Sequence, residues 1–181
     1  MAEKDPVQEL RKLVEAIETA MMTTRRADGH QVSRPMAVQA SAPGADFWFV
    51  TERDSEKLDE LRADPHVNLA FYKDRTREWV SVSGTAVLTD DRATIEKLYR
   101  PDWRAWFEDQ GGARNGVPDQ PRITLILVEA HSVEYLLVDK PRPVVLFEVA
   151  KGIVTGKQPD IGKQRSIMGG ELADMPPESH T

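Results

Sequence analysis

Apolar and polar positions alternate along most of this 181-residue chain, and helical spacing is confined to a few short stretches. Val7, Leu10, Leu13, Val14 and Ile17 fall on one helical face, and the pattern predicts a helix from Val7 to Ala20. Met21 to Arg26 then reads as extended. Asp28-Gly29 is a hairpin signal, and Val32 to Ala40 follows as the partner strand. A Pro/Gly loop over Ser41 to Ala45 leads into a short aromatic strand, Asp46 to Thr51. Asp54 to Arg62 is a short helix striped by Leu58 and Leu61, with Asp54 or Ser55 as its cap and Asp64-Pro65 as its stop.

The second half continues in the same texture. Val67 to Tyr72 is a strand and Lys73 to Thr76 a charged turn. From Trp79 to Leu88, Val80, Val82, Gly84, Ala86 and Leu88 share one face, and Ser81, Ser83 and Thr85 share the other. Asp91 to Phe107 is helical with a break near Pro101, and Asp109 to Pro121 is a loop. Ile123 to Glu129 and Ser132 to Val138 read as two separate strands. Pro143 to Val154 has helical spacing. Beyond it the chain is polar, so residues 1–157 are expected to form one domain and residues 158–181 a flexible tail. Six or seven hairpin-linked strands with short helices predict a mainly β (α+β) fold, an antiparallel sheet closed into a barrel.

Composition narrows the chemistry. The chain has no cysteine, which removes disulfides, thiolate nucleophiles and cysteine zinc sites. A net charge of −6 argues against nucleic acid and anionic lipid as partners. There is no apolar run of membrane-spanning length and no signal peptide, so the cytoplasm is the expected compartment. His30, His66, His131 and His180 lie far apart and suggest no metal site. Dinucleotide-binding and P-loop glycine motifs are absent, as is any Ser-His-Asp arrangement. Redox chemistry would therefore need a bound cofactor.

Three features suggest a phosphorylated, flat ligand. Arg34 opens a strand beside Pro35, where its guanidinium fork can reach a phosphate, or it is a solvated side chain. Ser55 and Lys57 stand at a helix start, as an anion site or as an ordinary cap with a surface lysine. Phe47, Trp48, Phe49, Trp79, Trp103, Trp106 and Phe107 cluster between residues 47 and 107, as cofactor walls or as core.

Taken in order, M-M-T-T-R-R-A-D-G-H-Q-V-S-R-P-M-A-V-Q, F-W-F-V-T-E-R-D-S-E-K, D-P-H-V-N-L-A-F-Y and V-S-V-S-G-T-A resemble the pyridoxamine 5′-phosphate oxidase-like superfamily, within it the general stress protein group of FMN-binding split barrels. The resemblance runs from about Val7 to about Lys157. It implies a split barrel and a homodimer with FMN at the subunit interface. By the same resemblance Arg34, Ser55 and Lys57 would hold the phosphate. Pro35 and Met36 would lie along the flavin, and Gln39 near it. Trp48, Phe49, Val50 and Thr51 would run beside the ring system, and Trp103 and Trp106 would cap the site. The oxidase that makes pyridoxal phosphate carries an Arg-x-His motif near its end. This chain has none there, which disfavours vitamin B6 oxidation. An aromatic pair found in relatives is here Tyr135-Leu136.

Three functions remain open on these residues: an FMN-dependent oxidoreductase acting on a small acceptor, a non-enzymatic flavin-binding stress protein, and a deazaflavin-dependent reductase drawing on Arg25, Arg26, Arg53 and Lys57. No side chain is singled out as catalytic.

Overall fold

The computed structural model describes residues 5–39, 45–101, 103 and 122–168. Helix α1 (Pro6–Ile17) begins where the Asp5 carboxylate accepts from the Val7 amide, and it buries Val7, Leu10, Leu13 and Val14. It stops earlier than the apolar spacing suggests, because Glu18 adopts the left-handed conformation and its amide returns to the Val14 carbonyl. The chain thereby turns straight into β1 (Thr19–Arg25), whose Ala20, Met22 and Thr24 point inward. The Asp28-Gly29 turn, with Gly29 at φ 87°, delivers β2 (Gln31–Ala37) antiparallel to β1.

Strand β3 (Phe47–Glu52) leads to α2 (Glu56–Ala63), followed by β4 (His66–Lys73), β5 (Glu78–Thr89), α3 (Arg92–Leu98), β6 (Ile123–Leu137), α4 (Arg142–Thr155) and β7 (Lys163–Met168). All pairings are antiparallel, and the strand order is β2-β1-β4-β5-β6-β3, with β7 on β6. At the open end of that order, the Gln39 amide just after β2 donates to the Trp48 carbonyl on β3 at 2.8 Å. The sheet therefore curls into a barrel whose β2–β3 seam is joined there and otherwise split.

Two further expectations are corrected. The two strands predicted over 123–138 are one strand. Ser83 pairs with Ser132 and Gly84 with Ala130, so His131 is left over as a bulge. The bulge marks a handover: residues 123–128 pair with β3, and residues 132–137 pair with β7. Gly84 is required opposite it, since a Cβ there would lie 2.4 Å from the Glu129 carbonyl oxygen. The second correction concerns the tail. Residues 163–168 form β7 against the edge that β6 exposes beyond the bulge, with Ile167 buried and Arg165 paired to Glu9 of α1 at 3.5 Å. One buried apolar residue in six gives the strand no readable alternation.

Two cores result. The larger fills the barrel and lies under α1, and it includes Met22, Phe49, Leu69, Val82 and Tyr135. The smaller gathers Trp48, Ile95, Leu98, Trp103, Ile123 and Leu125 between β3, β6 and α3. Helix α4 belongs to neither. Val145, Glu148, Val149 and Gly152 are half-buried, while Pro143, Leu146, Phe147, Ala150, Ile153 and Val154 form a continuous exposed apolar stripe at helical spacing.

Candidate functional site

Strand β2, the end of β3 and the start of α2 meet at one site. They bring together Arg34, Thr51, Ser55 and Lys57. The Lys57 ammonium donates to the Thr51 hydroxyl at 2.9 Å and to the Ser55 hydroxyl at 2.6 Å. Among the described residues no carboxylate lies within ion-pair distance of Lys57. Burial, and then the nearby Arg34 charge, pull this ammonium below the usual lysine range. Ser55 is the N-cap of α2, but its hydroxyl is engaged by Lys57 and makes no capping bond to the helix amides. Each hydroxyl accepts from Lys57 and keeps its own hydrogen to donate. A half-buried cation, two donor hydroxyls and the amides of a helix start are a chemistry that suits an anion.

Arg34 is half-buried and paired rather than an ordinary solvated side chain. Its Nη1 and Nη2 bond the two oxygens of Glu60 at 2.7 and 2.9 Å, and Nη1 also donates to the Thr24 hydroxyl at 3.0 Å. Thr24 in turn donates to Glu60 at 2.6 Å, and Arg26 stands 3.6 Å from the same carboxylate. Glu60 is only 8% exposed. The Arg34 hydrogen bonds, opposed by burial, hold its pKa at about 2. Sequence reasoning missed Thr24 and Glu60. Thr24 is a polar residue on the inward side of an alternating strand. Glu60 lies three residues after Lys57, in a stretch that reads as a charged helix surface.

The remaining expected site residues divide. Pro35 is exposed, and Met36 is buried in the larger core. Phe49 is fully buried there as well. Trp48 is buried in the smaller core, with Val50 packed against it. Gln39 is engaged internally: its Oε1 accepts from the Trp103 indole at 2.8 Å, and its Nε2 donates to the Ala37 carbonyl at 3.1 Å. Trp103, 1% exposed, is therefore a core residue in this chain rather than an exposed cap. Trp106 lies outside the described residues, as do the 109–121 loop and residues 169–181. Trp48, Phe49 and Trp103 leave no free ring face for a ligand, so an apolar wall for a flat molecule is not completed by them.

An open cleft of about 240 Å³ lies on the outer face of β1, β4 and β5, lined by Arg25, Asp64, His66, Asn68, Ser83 and His131 among others. It is polar and below the ~300–1,000 Å³ of ordinary ligand pockets. The other cations at this end of the barrel are paired: Arg25 with Asp64, Arg26 with Glu56 and Glu60, and Arg53 with Asp90. Among the described residues there is no cluster fit to hold a metal ion and no helix long and apolar enough to cross a membrane.

The model of the pyridoxamine 5′-phosphate oxidase-like family matches residues 5–160. The chain is 38% identical over 156 residues to protein bli-3 of Neurospora crassa, covering 84% of this chain and 75% of the fungal protein. It is similar to the solved structure of the general stress FMN/FAD binding protein of Xanthomonas citri, with a TM-score of 0.62 and 25% identity over 77% of this chain and 93% of that one. A protein from Clostridium acetobutylicum related to general stress protein 26 of B. subtilis shares the fold, with a TM-score of 0.64 and 18% identity over 92% of this chain and 96% of that one.

Proposed function

Because the chain belongs to the pyridoxamine 5′-phosphate oxidase-like family, we propose that it is a flavoprotein that takes the phosphate of FMN between Arg34 and Lys57. The observation that carries this reading is the half-buried Lys57 ammonium, which is engaged by the Thr51 and Ser55 hydroxyls and by no described carboxylate. A phosphate monoester fits that donor set. Lys57 supplies charge, Ser55 and Thr51 supply hydroxyl donors, and Arg34 supplies the guanidinium N–H groups left over from Glu60 and Thr24. The likeness to an FMN/FAD binding protein of Xanthomonas citri supports a flavin in particular.

A bound flavin would supply the redox chemistry, while the residues of this chain bind and orient it. The reading is one of binding, and no catalytic residue is assigned. We also propose a homodimer. A flat ring system needs apolar walls, and the aromatic side chains of β3 are enclosed in the cores of their own chain. The exposed α4 stripe, with Leu146 at 69% and Ile153 at 80%, is apolar surface of the kind that marks a protein interface. A partner subunit is the natural source of the missing wall.

The purified protein tests this. Flavin absorbance that co-elutes with the chain, or FMN bound at micromolar concentration, is the expected result. A chain that carries no flavin and binds none at those concentrations would overturn the reading. Oxidation of NADH or NADPH by the loaded protein would then separate an oxidoreductase from a binding protein without turnover.

A further inference from the structure

The arrangement around Arg34 raises a question of direction. Glu60 could be a competitor that occupies the guanidinium until a ligand displaces it, or a support that holds it in place. The donor count decides. A guanidinium has five N–H groups in one plane. Glu60 takes one from Nη1 and one from Nη2, and Thr24 takes the second from Nη1. What remains is Nε–H and the second Nη2–H, which lie side by side on one edge of the plane. That edge is itself a two-pronged donor for an oxyanion.

The support is itself braced. Thr24 accepts from Arg34 and passes its own hydrogen to Glu60 at 2.6 Å, so three side chains from β1, β2 and α2 close a ring of hydrogen bonds. Arg26 adds a second positive group beside the same carboxylate. A phosphate that displaced Glu60 would leave a nearly buried carboxylate facing a second anion, which is costly. A phosphate that uses the free edge leaves every existing bond intact.

Resting on the FMN reading, we propose that Glu60 and Thr24 are positioning residues: they lock the Arg34 guanidinium so that its Nε–Nη2 edge, and not its end, receives the phosphate. Their effect is confined to the phosphate, so they set the preference for FMN over the same flavin without it. The hydroxyl of Thr24 matters here and its methyl group does not.

The test is fluorescence titration of the full chain with FMN and with riboflavin, for the wild type and the variants E60A, T24V and T24S. E60A and T24V are expected to lose about tenfold in FMN affinity, as for one weakened charge-assisted bond, with riboflavin affinity unchanged. T24S is expected to keep wild-type discrimination. If E60A does not fold, T24V against T24S carries the test, because those two differ in the hydroxyl and not in charge. Tighter FMN binding by E60A would make Glu60 a competitor and overturn the proposal. Unchanged FMN binding, or equal losses for FMN and riboflavin, would also overturn it. A wild-type chain that binds no FMN would overturn the parent reading instead.

Discussion

Replacing Trp103 with Phe tests whether a buried polar contact holds Gln39, the residue whose amide joins the β2–β3 seam. The indole Nε1 donates to Gln39 Oε1 at 2.8 Å, with Trp103 1% and Gln39 8% exposed. Phenylalanine keeps a ring in the smaller core but removes the donor. The stranded Gln39 oxygen should cost about 1–3 kcal/mol, because a buried polar atom is left without a partner. The smaller ring adds about 1 kcal/mol for the gap it leaves against Ile95, Leu98 and Ile123. Q39L strands the indole N–H instead and should cost a similar amount. The double variant removes both polar groups together, so its loss should fall short of the summed singles by about 1–3 kcal/mol. Urea unfolding followed by far-ultraviolet circular dichroism gives all three values without relying on tryptophan emission. Strict additivity would mean that the bond does not form. A W103F loss within about 0.5 kcal/mol, the range of ordinary surface substitutions, would mean that Trp103 is not a core residue.

Two further outcomes are expected. Glu60 has its pKa lowered from 4.5 to about 2 in the folded chain, so it contributes stability that is full above its unfolded pKa and is lost as pH falls through the folded value. The stability gap between wild type and E60Q should therefore narrow by about 2 kcal/mol from pH 6 to pH 3 in urea unfolding, and an unchanged gap would contradict the ion pair. On α4, L146E combined with I153E should convert the proposed dimer to a monomer in light scattering while changing the unfolding free energy of the single chain little, since both side chains are exposed. A monomeric wild type, or a dimer that survives both charges, would remove α4 from the interface.

Much of this architecture is legible in the sequence, for identifiable reasons. The turn residues Asp28-Gly29 and the stop at Asp64-Pro65 fix where β1 and β2 meet and where α2 ends, and the alternation from Trp79 to Leu88 reports β5 directly. Ser55 and Lys57 are legible because they stand at the start of a readable helix and Arg34 because it sits beside Pro35, although Arg34 lies in the middle of β2 rather than at its start; Thr51 enters only through the family resemblance. The partners of Arg34 are not legible. Glu60 shares the buried side of α2 with Leu58 and Leu61, and an acid there looks like any solvated position until β1 and β2 are folded against it. β7 stayed hidden because its pairing depends on the edge that β6 frees at His131, not on its own side chains. The resemblance implies Trp103 as a cap while the residues alone leave core open, and the burial of Trp103 against Gln39 is not legible because a tryptophan reads the same whether it covers a ligand or fills a core.

Parallel titration of the wild-type chain and of Lys57→Met with FMN and riboflavin measures the phosphate site most directly. The account predicts that wild type prefers FMN, and that loss of the Lys57 charge removes about 1.5–3 kcal/mol of that preference while leaving riboflavin affinity in place. Equal affinity of the wild-type chain for the two flavins would contradict it, because Arg34 and Lys57 would then hold no phosphate.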